Sequence, residues 1–248
     1  MTEIKSRSGH VQKRFLEETG EKTMGKLAPS MLEADMRFLD EELKRMERAG
    51  ADYVHIDVMD GAFVPNLAFG MREIKSIRSS SSMVFDVHMM VQEPVRFVKR
   101  MKEAGADVIT VHYEACTDLA KTIRAIRELG VRAGVALNPD TGLGVLQDEI
   151  LKQVDVVQLM TAQPGLEGQR FLPGSLQKIQ ALRKRMEELG LVCEIEVDGK
   201  IDMENVQEAV RAGASVIVSG KALFQGDLEN NIQKMKRLIE EALSEGGS

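Results

Sequence analysis

Eight short, β-rich apolar runs recur along this chain, each followed by a longer stretch with helical apolar spacing. The runs cover residues 26–29, 53–58, 83–88, 108–112, 133–137, 156–160, 193–197 and 216–219. Between them lie segments such as Phe38, Leu39, Leu43 and Met46, or Leu176, Ile179, Leu182 and Met186, where apolar residues return every three or four positions. A continuously apolar strand must be covered on both faces, and strands that alternate with helices build a parallel sheet. The helical stretches close on a repeated pattern: Arg48-Ala49-Gly50-Ala51-Asp52, Glu103-Ala104-Gly105-Ala106-Asp107 and Arg211-Ala212-Gly213-Ala214-Ser215. The glycine suits the residue just past a helix end, where a left-handed backbone is needed. The three glycines stand 55 and then 108 residues apart, so one βα unit takes about 27 residues. From Lys26 to the chain end there is room for about eight such units. Eight strands with eight crossover helices predict an α/β protein, a single (β/α)8 TIM-type barrel over residues 25–248. A doubly wound open sheet is the alternative, but it normally carries a Gly-rich loop after its first strand, where this chain has Pro29-Ser30-Met31.

Composition narrows the function classes. At 248 residues, with 43% hydrophobic and 29% charged, the chain is long enough to bury a core without disulfide or metal staples. Two cysteines, Cys116 and Cys193, are too few for a disulfide framework and read as small hydrophobes in a reduced, cytoplasmic setting. A net charge of −6 argues against nucleic-acid and anionic-membrane partners, and no apolar run is long enough to span a bilayer. Residues 1–24 mix Lys5, Arg7, Lys13, Arg14 and Lys22 with Glu3, Glu17, Glu18 and Glu21 and lack an apolar centre. They read as a charged N-terminal extension rather than a secretory signal.

Reactive residues of such barrels sit at the C-terminal ends of the strands. Those ends read Ser30, then His55-Ile56-Asp57-Val58-Met59-Asp60-Gly61, then Asp86-Val87-His88-Met89-Met90, and later His112, Met160, Asp198-Gly199 and Ser219-Gly220. Side chains alternate along a strand, so His55 and Asp57 share a face, and His88 and Asp198 close two other strands beside them. A lone strand-end His is usually hydrogen-bonded structure and a lone Asp a helix cap. Two of each at one barrel mouth instead make a four-ligand site for one divalent cation per chain. Nitrogen and oxygen donors without thiolate suit zinc, iron(II), manganese or cobalt. His10 lies in the extension and reads as inert, while His112 reads as a supporting or core residue.

These motifs, with Phe63-Val64-Pro65-Asn66, Glu196-Val197-Asp198-Gly199, Pro29-Ser30 and Pro164-Gly165, closely resemble the ribulose-phosphate 3-epimerase family from about Lys26 to Phe224. The resemblance implies a phosphate-binding barrel that inverts carbon 3 of a ketose phosphate, D-ribulose 5-phosphate to D-xylulose 5-phosphate. It makes Asp57 and Asp198 the acid/base pair and His55, Asp57, His88 and Asp198 the metal ligands. Ser30, Met59, His88, Met90 and Met160 would contact the sugar. It also implies a homo-oligomer. The phosphate end departs from the family pattern: Gln163 stands for asparagine, Gly165-Leu166-Glu167-Gly168 for Gly-Phe-Gly-Gly, Gly199-Lys200 for Gly-Gly and Gly220-Lys221 for Gly-Ser, and Ala62 stands where His is frequent. Backbone N–H groups in these turns would hold phosphate. Glu167 would oppose it if turned inward, and Lys200 and Lys221 would favour it. Because the departures cluster there, a hexulose phosphate such as D-allulose 6-phosphate is the alternative substrate. A non-catalytic sugar-phosphate-binding barrel is a more distant alternative. A related-barrel decarboxylase is disfavoured, since no Asp-x-Lys-x-x-Asp arrangement occurs at strand two or three.

Overall fold

The computed structural model describes residues 25–166 and 168–245, so the expectations for the extension 1–24 and for Glu167 lie outside the described residues. The strands are β1 (Lys26–Pro29), β2 (Tyr53–Asp60), β3 (Leu67–Ala68), β4 (Val84–Met90), β5 (Val108–His112), β6 (Arg132–Leu137), β7 (Val156–Met160), β8 (Glu194–Asp198) and β9 (Val216–Ser219). Their order in the sheet is β1-β9-β8-β7-β6-β5-β4-β2-β3, and every pairing is parallel except the short β2–β3 hairpin. A parallel bridge from Ser30 to His55 joins β1 back to β2. This closes eight parallel strands into a (β/α)8 barrel.

The described helices are α1 (Leu39–Ala49), α2 (Met71–Ile77), α3 (Val98–Ala104), α4 (Leu119–Glu128), α5 (Asp148–Leu151), α6 (Gly174–Glu188), α7 (Val206–Arg211), α8 (Lys221–Phe224) and α9 (Leu228–Glu245). Gly50, Gly105 and Gly213 follow α1, α3 and α7 with φ of 92°, 113° and 114°, the left-handed conformation the repeat requires. Helix faces such as Leu43, Met46 and Ala49 of α1 or Ile179, Leu182 and Met186 of α6 bury against the outward side chains of the strands, among them Ile56, Val87, Ile109, Val135, Val157, Ile195 and Ile217. Truncating a fully buried Leu182 or Ile179 to alanine would cost about 2–5 kcal/mol. The main core is therefore the shell between sheet and helices. Inward positions of the same strands carry a different set: His55, Asp57, Asp86, His88, Thr110, His112, Gln158 and Glu196 are all buried. Polar residues at every second position of an otherwise apolar strand are thus directed into the barrel.

Cys193 is buried and Cys116 half-buried; both are free thiols. Burial pushes the Cys116 thiol up to about 11, which fits the small-hydrophobe reading. No helix among the described residues is long and apolar enough to cross a membrane.

Candidate active site

Strand register assembles the site. Asp57 of β2 lies beside His88 of β4, Met59 beside Met90, and Met160 of β7 beside Asp198 of β8. Donor atoms of His55, Asp57, His88 and Asp198 all fall within 4.8 Å of one another. His55 Nε2 is 3.4 Å from Asp57 Oδ1 and 3.8 Å from Asp198 Oδ2, and His88 Nδ1 is 3.3 and 3.4 Å from the same two atoms. His55 Nε2 is buried without a hydrogen-bond partner. A buried lone pair facing two carboxylates and a second imidazole nitrogen fits a divalent cation of the zinc, iron(II), manganese or cobalt kind.

The other nitrogen of each imidazole is also committed. His55 Nδ1–H donates to Asp86 Oδ2 at 2.6 Å. On the far side of His88, Glu114 accepts from the Asn138 N–H at 2.8 Å and from the Thr141 hydroxyl, and lies 3.2 Å from His112 Nδ1. A carboxylate only accepts, so His112 Nδ1 carries its hydrogen toward Glu114. His112 Nε2 is left to accept from His88 Nε2–H at 2.8 Å, which frees the His88 Nδ1 lone pair for the cluster. Burial pushes His112 down to about 4 and keeps its ring neutral. Burial by itself would raise Glu114, but hydrogen bonds from His112 and Thr141 outweigh it and bring it down to about 2.

Without a cation the free lone pairs bind protons. Burial alone would lower His55 and His88, yet the surrounding carboxylates hold both above the ordinary imidazole value, His55 well above it through Asp57 and Asp86. Burial opposes ionisation of Asp57 too, but the two imidazoles hold it far below the usual carboxylate range. Ser30 Oγ–H donates to Asp57 Oδ2 at 2.6 Å and fixes its second oxygen. Deeper in the barrel, His55, Asp86 and Glu196 form a second acidic group. Burial and the Asp86 charge push Glu196 well above the usual carboxylate range.

A cavity of about 540 Å³ opens above the cluster, lined by Ser30, Asp57, Met59, Met90, Met160, Gly165, Leu166, Asp198, Gly199, Lys200, Gly220 and Lys221 among others. His55 and His88 lie beneath it, fully buried, and Gly168 is not part of its lining. Glu33 and Asp202 share the wall with the two lysines. A side chain at Gly165 would overlap Val64 of the β2–β3 turn, with Cβ 2.5 Å from Val64 Cβ, and one at Gly199 would reach 2.6 Å from the Ala162 nitrogen. These two glycines let the loops after β7 and β8 close on their neighbours. Lys200 holds a left-handed backbone at φ 60°, an uncommon conformation for a residue with a side chain. Gln163 Nε2 donates to Asp140 Oδ2 at 2.7 Å and ties the loop after β7 to the loop after β6. Asp60, inside the most distinctive motif, accepts from the Ala62, Phe63 and Gln92 N–H groups and shapes the turn instead of entering the cluster.

Sequence reasoning missed Asp86, Gln158 and Glu196. Each stands two residues before a residue of the site, namely His88, Met160 and Asp198, so counting the pleat backward places all three inside the barrel.

A family model described as the ribulose-phosphate 3 epimerase family matches residues 26–224. The chain belongs to the ribulose-phosphate 3-epimerase family. Ribulose-phosphate 3-epimerase of Bacillus subtilis (strain 168) is 41% identical over 86% of this chain and 99% of its own length. That of Synechocystis sp. is 45% identical over 80% of this chain and 86% of its own, and that of Escherichia coli (strain K12) 41% over 85% and 94%. Members of this family are isomerases, and the chain is accordingly an epimerase-type enzyme. Among solved structures, 3-keto-L-gulonate-6-phosphate decarboxylase from Vibrio cholerae matches with TM-score 0.65 at 16% identity, covering 88% of this chain and 98% of that one. 3-Hexulose-6-phosphate synthase from Salmonella typhimurium matches with TM-score 0.63 at 19% identity, covering 88% and 99%. At such identities these two speak for the barrel fold alone.

Proposed function

We propose that the protein interconverts D-ribulose 5-phosphate and D-xylulose 5-phosphate by moving the proton on carbon 3. The observation that carries this reading is the convergence of two carboxylates and two imidazoles at the floor of one cavity, within a family whose similar members bear that activity. Inversion beside a ketone needs one group to remove the carbon-bound proton and another to return a proton to the opposite face. Asp57 and Asp198 are those groups; they arrive from β2 and β8, strands separated by β1 and β9. One starts as carboxylate and the other as carboxylic acid, and turnover exchanges their states. Such positioned acid/base groups typically contribute about 10²–10⁴-fold. Ser30, donating to Asp57, keeps that oxygen from turning away.

His55, Asp57, His88 and Asp198 would hold the divalent cation, with zinc, iron(II), manganese and cobalt all compatible with the donor set. When bound, it supplies Lewis-acid stabilisation of the negative charge on the enediolate oxygens. Met59, Met90 and Met160, each at least nine-tenths buried on the cavity wall, flank the reacting carbons with soft groups that exclude water and donate no proton. The phosphate lies at the end formed by Gly165, Leu166, Gly199, Lys200, Gly220 and Lys221, where backbone N–H groups and two ammonium groups offset Glu33 and Asp202.

A substrate panel tests the reading. We expect kcat/KM for D-ribulose 5-phosphate to exceed that for D-allulose 6-phosphate. The reverse order would make the protein a hexulose-phosphate epimerase, and inactivity on both with tight binding would leave a sugar-phosphate-binding barrel.

A further inference from the structure

Gln158 sits inside the barrel on β7, fully buried, two residues below Met160. A buried amide needs partners for two N–H donors and for its carbonyl. Its Nε2 is 3.1 Å from His88 Nδ1, 3.2 Å from Asp198 Oδ2 and 3.5 Å from Met160 Sδ, whereas Oε1 has no hydrogen-bond partner. The first two neighbours belong to the ligands of the candidate cation site. A cation there would take the very lone pairs toward which this amide points its hydrogens, and would face the positive end of the N–H bonds. A half-turn about the last side-chain torsion, broad and roughly two-fold for glutamine, exchanges nitrogen and oxygen. The partnerless carbonyl then lies about 3 Å from two other donor atoms. That is the spacing of neighbouring ligands about 2.1 Å from a cation at near right angles. One half-turn thus replaces a repulsive dipole with an oxygen lone pair aimed at the cation, and turns the N–H groups to the side where Oε1 now has no partner.

We infer that Gln158 is a fifth protein ligand of the bound cation, through its side-chain carbonyl oxygen. The inference rests on the metal reading of the site. A neutral oxygen added to two imidazoles and two carboxylates carries the site beyond four-coordination without adding charge. It moves the preference from zinc toward manganese, iron(II) or cobalt, which accept five or six ligands readily.

The test uses metal-free full-length protein titrated with cobalt(II), read by visible absorption and by competition with a chelator. Gln158→Leu should bind cobalt about 10–100-fold more weakly. Its d–d bands should intensify as coordination drops toward four. Gln158→Met, closer in shape, should do the same and covers the case in which the leucine variant does not fold. Gln158→Glu keeps an oxygen in place and should hold cobalt at least as tightly as the parent, with weak bands. If Gln158 serves only as an N–H donor to His88 and Asp198, Gln158→Glu would bind as poorly as Gln158→Leu. That result, or parental affinity and spectrum in the leucine and methionine variants, overturns the inference. His55→Ala separates the two levels: unchanged cobalt binding in that variant would sink the metal reading itself, independently of Gln158.

Discussion

The two ends of the barrel interior are built from the same strands and solved in opposite ways. At the N-terminal end Lys26, Tyr53, Arg132 and Glu194 satisfy one another. Glu194 accepts from Lys26 and Arg132 at 2.6 Å each and from the Tyr53 hydroxyl at 2.9 Å, while Lys26 and Arg132 also donate to that hydroxyl. Two residues further along the same strands, Tyr53 gives way to His55 and Glu194 to Glu196. There the interior holds Asp57, Asp86, Glu196 and Asp198 around two imidazoles, and His55 Nε2, Asp86 Oδ1, Gln158 Oε1 and both Glu196 oxygens have no hydrogen-bond partner. A self-paired network is finished structure. A cluster rich in carboxylates, with donor atoms of His55, Asp57, His88 and Asp198 all within 4.8 Å of one another, is completed by added positive charge, and that marks the end where chemistry belongs.

The contrast breaks most sharply at Asp198. Asp198→Asn should lower kcat about 10²–10⁴-fold while substrate binding persists, as steady-state rates and equilibrium binding would record; near-parental turnover would contradict the two-carboxylate assignment. Glu194→Gln attacks the opposite end. Removing one partner of a buried pair costs roughly 3–5 kcal/mol, and because Lys26 and Arg132 are each 35% exposed we expect about 2–3 kcal/mol here. Thermal melts should fall by roughly 4–12 °C with kcat/KM unchanged. Loss of activity without loss of stability would reverse the roles of the two ends.

The ends should also respond to pH with opposite signs. Burial alone would raise Glu194, but Arg132 and Lys26 outweigh it and hold it below its ordinary value of 4.5. Its stabilisation is therefore present above about pH 4.5 and fades as pH falls through the lowered value. His55 and His88 are raised above 6.5, so in metal-free protein their contribution is full below 6.5 and fades as pH rises through the raised values. Melting temperatures across pH should show an acid-side slope that shrinks in Glu194→Gln and an alkaline-side slope that a saturating cation abolishes. An alkaline slope indifferent to the cation would detach the histidines from the metal. The smallest effects concern the cavity rim. Lys221→Ala and Lys200→Gly should raise KM a few-fold at constant kcat. The glycine, relieved of about 1 kcal/mol of left-handed strain, should not lower stability. Unchanged KM in both would return the lysines to solvent.

Much of this was legible in the residues, for identifiable reasons. Apolar runs without alternation and glycines at helix ends located the eight barrel strands to within one or two residues. Strand ends slipped by one or two residues at Met59–Asp60, Met89–Met90 and Asp198, where the backbone ladder continues beyond the run marked in the sequence. The two-residue strand Leu67–Ala68 escaped because it is too short to carry a period. His55, Asp57, His88 and Asp198 stood out because imidazoles and carboxylates at strand ends are chemically conspicuous. Asp86, Gln158 and Glu196 sit mid-strand, where a polar residue reads as an interruption of an apolar run until the barrel's inward face is known.

The central claim, that the C-terminal cluster is complete only with a cation, is tested most directly by titrating manganese or cobalt into metal-free protein while following heat and thermal melting. The account predicts one cation per chain, protons released on binding, and a melting temperature raised by roughly 5–11 °C at a hundredfold excess over Kd. Absence of saturable binding, or binding retained in both His55→Ala and His88→Ala, would contradict it.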